Sequence, residues 1–150
     1  MAAPGSLVFF NSFKEYVADG TFDLNTDTFV ATLHTSTFSP NVSTMTVAAD
    51  ITNEVANGNG YTTGGNTLAG VTYAQAAGTA KFDANDTAWT GASSGFVARY
   101  LVIRKNGTAN ARVNPLVGYM LLDSAPADVS FAAGNTVTVQ WNASGIFTLA

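Results

Sequence analysis

The sequence predicts a mainly β fold: an antiparallel β-sandwich or jelly-roll-like single domain over residues 1–150, with one or two short helices. Two segments, 29–33 and 137–141, alternate in the way that half-buried strands do. Short apolar runs elsewhere are separated by turns rich in Gly, Asn and Ser, as in all-β domains. No internal repeat is visible, which disfavours a solenoid or a propeller.

The N-terminal residues 1–20 predict an arm followed by a short helix. Ser12 and Glu15 match a capping box, and Gly20 supplies a stop. A helix of about two turns is marginal alone and must dock, either on its own domain or on a neighbouring subunit. The candidate interface anchors are the three phenylalanines of this segment: Phe9, Phe10 and Phe13.

The β signals begin after Gly20. We predict strands at 28–35, 44–47, 71–75, 80–82, 86–90, 96–105, 113–122, 136–141 and 146–149. Asp50 is expected to cap a helical turn, and Asn106-Gly107 has the composition of a type I′ hairpin turn.

Alternation along two of these strands assigns side chains to faces. In 28–35, Phe29 and Leu33 share one face and His34 lies on the other, so His34 is expected to point to solvent or to a partner. We therefore count His34 as a candidate interface residue. In 136–141, the same period places Trp141 in the core. The other aromatic residues that could stack on a sugar lie beside polar turns or on a short strand: Trp89, Tyr61 and Tyr73.

The composition points to a surface that is covered in an assembly. Charged residues make up 11% and hydrophobic residues 47%, so Thr, Ser, Asn and Gly must supply most of the polar surface. Such a surface has few long side chains to immobilise on binding. A plain secreted β domain is the alternative.

Several classes of protein are disfavoured by composition. There are no cysteines and one histidine, which excludes a disulfide framework and a thiolate zinc site. A net charge of −4 without a basic stripe argues against nucleic acid as a partner. The apolar run at 7–10 is too short for a signal peptide or a membrane span, so we expect no membrane partner and synthesis in the cytoplasm.

Chemical motifs are weak. The glycine-rich loop at 58–65 lacks the lysine and the following helix of a phosphate loop, which indicates a tight, solvent-facing turn with positive φ angles. Two oxygen-rich turns, one with Asp23 and Asp27 and one with Asp83 and Asp86, could hold a weak calcium ion, although Asx turns are the commoner reason for such residues. We expect no catalytic residues, no cofactor and no transition metal.

Several segments, taken in order, resemble a family of small structural virion proteins of tailed bacteriophages. They are DTFVATLHT at 27–35, DITNEV at 50–55, GNGYTTGG at 58–65, FDA at 82–84, ARY at 98–100, PLVG at 115–118 and WNASGI at 141–146, together with 13–14, Leu68, Gly70 and Trp89. They span nearly the whole chain. The segment at 119–123 is less acidic and has less glycine than the corresponding part of that family.

The resemblance implies a virion protein without catalytic residues or cofactor. We expect a capsid decoration or cement protein that is made in the host cytoplasm, binds the major capsid protein or other virion proteins and forms a homo-oligomer, with a trimer as the first choice. The alternatives are a tail, neck or fibre component and a carbohydrate-binding host-attachment domain.

Overall fold

The computed structural model describes residues 4–150 and confirms the mainly β fold, with antiparallel sheets and a single α-helix in this part of the chain. Residues 1–3 of the predicted arm lie outside the described residues. The elements in chain order are β1 (Val8–Phe9), α1 (Asn11–Ala18), β2 (Phe29–His34), a 3-10 turn (Ala48–Asp50), β3 (Asn66–Thr67), β4 (Thr72–Ala76), β5 (Thr79–Asp83), β6 (Thr87–Thr90), β7 (Phe96–Ala98), β8 (Tyr100–Lys105), β9 (Thr108–Ala109), β10 (Arg112–Val113), β11 (Leu116–Leu121), β12 (Val129–Phe131), β13 (Thr136–Val139) and β14 (Phe147–Leu149).

The predicted elements at 44–47 and at Asp50 are wrong. No strand forms at 44–47, where Val47 makes only an isolated bridge to Pro115. Asp50 ends the 3-10 turn instead of starting a helical turn, because its carboxylate accepts hydrogen bonds from the backbone N–H groups of Thr46 and Val47 at 2.7 and 3.0 Å. The carboxylate thereby caps the turn that precedes it.

The first sheet has five antiparallel strands in the order β1-β11-β8-β2-β3. Its centre is the pair formed by β2 and β8, which runs from Phe29 opposite Lys105 to His34 opposite Tyr100. All six residues of β2 are buried, so both faces of this strand lie inside the protein. The side chains of β2 do alternate between two faces as predicted, but both faces are buried, whereas the prediction had one face exposed.

A bend at Arg99 divides the predicted strand 96–105 into β7 and β8. The Arg99 N–H donates to the His34 carbonyl at 2.8 Å, and the Leu122 N–H donates to the Arg99 carbonyl at 2.9 Å. Beyond the bend, β7 pairs with β12, and the Arg99 side chain forms an ion pair with Asp128 at 2.7 Å. The bend carries the chain from the first sheet into the second layer.

The second layer contains the three-stranded sheet β14-β5-β4 and the antiparallel pair β13-β6. It packs on the first sheet through aromatic rings. Phe82 of β5 contacts Phe29 of β2 with ring centroids 5.0 Å apart, and Phe147 of β14 stacks on Phe82 at 4.8 Å. These contacts give the two-layer core of a sandwich.

The outer face of the first sheet is covered by the segment 35–54. Phe38 in this segment lies 4.8 Å from the His34 ring and 5.5 Å from the Tyr100 ring, centroid to centroid. A second hydrophobic cluster of Phe10, Phe38, Val102 and Leu116 results. The central strands are therefore buried between the second layer and this covering segment.

Helix α1 forms over Asn11–Ala18, close to the predicted place, but the predicted capping box is wrong. Phe10 is the N-cap residue, no side chain caps the helix, and the Ser12 hydroxyl is buried without a hydrogen-bond partner. The helix docks on its own domain through Phe13, whose ring lies 5.2 Å from that of Phe22 and 5.5 Å from that of Phe147. Between residues 4 and 150, no helix has the length and apolar character needed to span a membrane.

Candidate functional site

Three of the four predicted interface residues are inside the domain. Phe10 is 0% exposed, Phe13 is 2% exposed and His34 is 1% exposed, whereas Phe9 is half-buried. The prediction that His34 faces solvent or a partner is wrong, because the segment 35–54 covers that face of β2. Phe10 and Phe13 belong to the core of their own domain, which was the alternative interpretation of the aromatic segment.

His34 fastens the covering segment to β2. Its Nδ1 lies 2.9 Å from the Thr52 carbonyl oxygen, which can only accept, so Nδ1 carries the proton. Its Nε2 then accepts from the Thr32 hydroxyl at 3.0 Å. Burial lowers the pKa of His34, and the Thr52 carbonyl and the Glu54 carboxylate oppose this effect. The neutral ring serves as a structural cross-link.

A buried polar cluster lies beside it. The Tyr61 hydroxyl donates to Glu54 at 2.6 Å and accepts from the Leu33 N–H at 3.1 Å, while the Gly64 N–H donates to the same Glu54 oxygen at 2.6 Å. Burial and the hydrogen bond to Glu54 raise the pKa of Tyr61. Tyr61 is only 1% exposed and Glu54 is half-buried, and the cluster holds the glycine-rich loop against β2.

The glycine-rich loop adopts the predicted positive φ angles. Gly60 has φ 99° and Gly65 has φ 75°. A Cβ atom on Gly60 would lie 2.1 Å from the Thr90 carbonyl oxygen, and one on Gly65 would lie 2.0 Å from that of Ala31. The loop is therefore held close to the backbone of β2 and β6 at these two positions, and only glycine fits there.

The carboxylates of the two oxygen-rich turns are engaged within the chain. Asp23 accepts from the Asn25 N–H at 3.0 Å in an Asx turn, and Asp27 pairs with Lys105 at 2.6 Å. Asp83 pairs with Lys81 at 2.9 Å, while Asp86 accepts from the backbone N–H of residue 141 at 3.0 Å. Within residues 4–150, no three His, Cys, Asp or Glu side chains are grouped as a metal site would need.

The predicted positions of the aromatic side chains are reversed. Trp89 and Tyr61 are 3% and 1% exposed, whereas Trp141, which was expected in the core, is half-buried. Strand β13 ends at Val139, so Trp141 leaves the period of the strand. Its indole N–H donates to the Asn85 carbonyl at 3.0 Å, which fixes the ring at the surface.

Trp141 lines a groove of about 460 Å³ between the N-terminal segment and the segment before and within β14. We call it the edge groove; it is lined by Pro4, Gly5, Ser6, Leu7, Phe9, Met120, Gln140, Trp141, Asn142, Gly145, Ile146, Phe147 and Thr148. Phe9 also borders a smaller apolar groove of about 240 Å³ with Phe13, Lys14, Val17 and Leu149. Of the predicted interface residues, Phe9 borders both grooves and Phe13 borders the smaller one. The grooves themselves were not predicted, because they join segments from opposite ends of the chain.

The cationic side chains are largely used inside the molecule. Four of the six form ion pairs: Lys81 with Asp83, Arg99 with Asp128, Lys105 with Asp27, and Arg112 with Asp19 and Glu15. Arg104 donates to the backbone carbonyls of Gly64 and Lys105 at 3.4 Å. Lys14 borders the smaller groove.

Comparison of the chain with protein-family models, with curated proteins and with solved structures finds no match. The function is therefore argued from the fold, the surface and the grooves described above.

Proposed function

We propose that this chain is a structural virion protein of a tailed bacteriophage, a capsid decoration protein that binds and stabilises the shell of major capsid protein. The observation that carries the proposal is the low density of charged side chains. Charged residues are only 11% of the chain, and four of the six cationic side chains are paired internally. The ordered resemblance to small virion proteins supports the same assignment.

A surface with few charged side chains suits a permanent place in an assembly. Its Thr, Ser and Asn groups form hydrogen bonds to a partner without the cost of desolvating ions. Large apolar side chains are also exposed on separate strands, with Val8 at 42%, Val97 at 47% and Val113 at 57%. Apolar contacts surrounded by neutral hydrogen bonds are the usual core of a stable interface.

A tail, neck or fibre position remains the alternative within the same class, since the same surface would serve there. A homo-oligomer, with a trimer as first choice, belongs to the proposal, since most assemblies of identical chains are closed and symmetric. The second candidate function is sugar binding in host attachment. It is favoured by one observation: Trp141 is half-buried and lines the edge groove together with Gln140 and Asn142.

The test uses purified particles of the phage that encodes the chain. Particles are washed in 1 M salt, where the Debye length is about 3 Å, and the retained chain is quantified by mass spectrometry. We expect retention, because apolar and neutral polar contacts survive screening. Absence of the chain from particles would contradict the virion assignment, and complete release by salt would contradict a neutral interface.

Location is decided by labelling. A small epitope placed after Gly78, in an exposed turn with open space around it, is decorated with antibody and imaged by electron microscopy. Label on the shell supports decoration, and label confined to the tail supports the alternative. Binding of the purified chain to host-surface glycans, lost on Trp141→Ala, would instead favour the sugar-binding candidate.

A further inference from the structure

We propose that Asn59 in the glycine-rich loop is a site of spontaneous deamidation, which the fold favours there over the other Asn-Gly pairs of the chain. The inference goes beyond the proposed function and stands or fails separately from it. It follows from the hydrogen bonds around the three asparagines that precede a glycine: Asn57, Asn59 and Asn106.

An Asn-Gly pair can deamidate without an enzyme because glycine has no side chain to hinder attack on the asparagine amide. The backbone nitrogen of the glycine loses its proton and forms a bond to the asparagine Cγ atom. The bond from Cγ to Nδ2 breaks, and the NH2 group takes up a proton and leaves as ammonia. Water then opens the five-membered succinimide at either carbonyl, which yields aspartate or isoaspartate.

The pair Asn57-Gly58 is restrained by two hydrogen bonds. The Gly58 N–H donates to the Tyr61 carbonyl oxygen at 2.8 Å, so the attacking nitrogen is engaged. The Asn57 side-chain oxygen accepts from the Thr63 N–H at 3.2 Å, which holds the amide in the loop. Both bonds must open before the ring can close.

The pair Asn106-Gly107 is restrained in the same way. The Gly107 N–H donates to the Asn114 side-chain oxygen at 2.8 Å. The guanidinium of Arg104 donates to the Asn106 side-chain oxygen at 3.4 Å. The nitrogen that would attack and the amide that it would reach are again both engaged.

The pair Asn59-Gly60 lacks these restraints. Both residues are exposed, and among the hydrogen bonds within residues 4–150 none is donated by the Gly60 N–H. The side chains that accept from backbone N–H groups of this loop are Asn57 and Glu54 instead of Asn59. The Asn59 carbonyl accepts from the Ala92 N–H at 2.7 Å, a contact that orders the loop but engages neither of the two groups that react.

Deamidation at Asn59 changes the contact between the loop and the turn that follows β6. Gly60 lies so close to this turn that a Cβ atom on it would be 2.1 Å from the Thr90 carbonyl oxygen. Isoaspartate carries the main chain through its own Cβ atom, which lengthens the link between residues 59 and 60 by one atom. We expect the lengthened link to displace the loop from the turn and to weaken the hydrogen bond to Ala92.

The test follows the purified, folded chain during incubation at mildly alkaline pH. Tandem mass spectrometry of digested samples measures aspartate and isoaspartate at Asn57, Asn59 and Asn106. Incubation in guanidinium chloride is the matched control, because each asparagine then precedes glycine without the folded contacts. We expect similar rates in the denaturant. In the folded chain we expect Asn59 to react about threefold faster or more, the factor for one hydrogen bond that must first open.

Removal of one restraint tests the cause. Asn114→Gly removes the acceptor of the Gly107 N–H and tolerates the φ of 52° at this position, whereas Asn114→Asp keeps an acceptor oxygen. We expect the rate at Asn106 to rise about threefold or more in Asn114→Gly alone. Amide hydrogen exchange of the wild type needs no variant, and there the Gly60 N–H should exchange faster than those of Gly58 and Gly107.

The structural consequence is tested with Asn59→Gly, which has no Cγ atom to attack and tolerates the φ of 54°. After equal incubation, the denaturant midpoint of the wild type should fall and that of Asn59→Gly should hold. Equal decreases in the two would overturn the effect on the loop. Deamidation of Asn57 or Asn106 as fast as Asn59 in the folded chain, or slower exchange at Gly60, would overturn Asn59 as the favoured site.

Discussion

The Tyr61 hydroxyl lies 2.6 Å from a Glu54 carboxylate oxygen and 3.1 Å from the backbone nitrogen of Leu33. A single side chain thus joins the glycine-rich loop, the segment before it and the central strand β2. The Gly64 N–H completes the cluster by donating to the same oxygen of Glu54. The Tyr61 hydroxyl oxygen therefore takes part in two of the three hydrogen bonds of this cluster.

Tyr61→Phe removes that atom and leaves the Leu33 N–H unpaired and the carboxylate short of one donor. We expect the free energy of unfolding to fall by about 1–3 kcal/mol, the usual cost of unpaired buried polar groups. Urea unfolding followed by circular dichroism measures the loss. Tyr73→Phe, on the half-buried part of β4, is the matched control and should change stability little. Equal losses for the two variants would contradict the structural role of the hydrogen bonds.

The buried His34 ring makes stability depend on pH. Burial holds its folded-state pKa below 6.5, the ordinary value that applies to the unfolded chain. The unfolded chain therefore binds more protons as the pH falls below about 6.5, and stability falls with it. We expect urea midpoints to decrease between pH 7.5 and pH 5 in the wild type.

His34→Asn is the control for this pH dependence, because an asparagine amide can still donate to the Thr52 carbonyl but does not titrate. The comparison concerns the change with pH and not the absolute stability. Asp19, Asp23 and Asp50 have pKa values held below 3.8 by hydrogen bonds from neighbouring threonines, so they titrate below this window. The same decrease in wild type and His34→Asn would sink the assignment.

Substitution of Trp89 should lower the free energy of unfolding more than substitution of Trp141, which is the reverse of what the sequence predicts. Trp89 is 3% exposed and packs edge-on against Phe131 at 6.5 Å, so Trp89→Ala is expected to cost about 3–5 kcal/mol. Trp141→Ala should cost less, since this ring is half-buried at the groove. Urea unfolding gives both values, and acrylamide should quench the fluorescence of Trp141 more strongly. A larger loss at Trp141 would contradict the burial.

Substitution of two glycines by alanine distinguishes the cost of a left-handed backbone from the cost of a steric clash. Gly78 has φ 87° with open space around it, and Gly65 has φ 75° with the Ala31 carbonyl in the way. Gly78→Ala should cost about 1–2 kcal/mol from the left-handed conformation alone. Gly65→Ala should cost clearly more, because β2 or the loop must move. Thermal unfolding of the two variants tests the difference, and equal shifts would show that the contact at Gly65 is relieved freely.

Local signals in the sequence predicted most strands because side-chain period and turn composition act over a few residues. They misplaced the hairpin turn near residue 107. The turn lies at Asn110 and Ala111, with φ 48° and 63°, and joins the short strands β9 and β10. The Asn114 side chain instead accepts from the Gly107 N–H at 2.8 Å, which keeps the predicted turn residues at the base of the hairpin. The contact between Gly107 and Asn114, seven residues later, therefore accompanies a turn at Asn110-Ala111 instead of at Asn106-Gly107.

The burial of both faces of β2 and the positions of the grooves result from contacts between segments that are distant in sequence, so no local sequence pattern predicts them. His34 follows the alternation of an exposed face, yet Phe38 and Thr52 from the covering segment bury it. Phe9 was a candidate interface residue because of its terminal aromatic context, and it does border both grooves. Its neighbours there, Trp141 and Thr148, come from the other end of the chain, which sequence spacing cannot bring together.

The pairing of β1 with β11 also delays the completion of the first sheet during synthesis, because the two strands are far apart in sequence. Val8 emerges from the ribosome before its partner Tyr119, which lies 111 residues later. At translation rates of about 5–20 residues per second, the N-terminal strand waits roughly 5–20 s for its neighbour. During that interval an apolar strand is available to other nascent chains. Slow translation or crowded polysomes should therefore favour aggregates of this protein, and co-expression of chaperones should raise its yield.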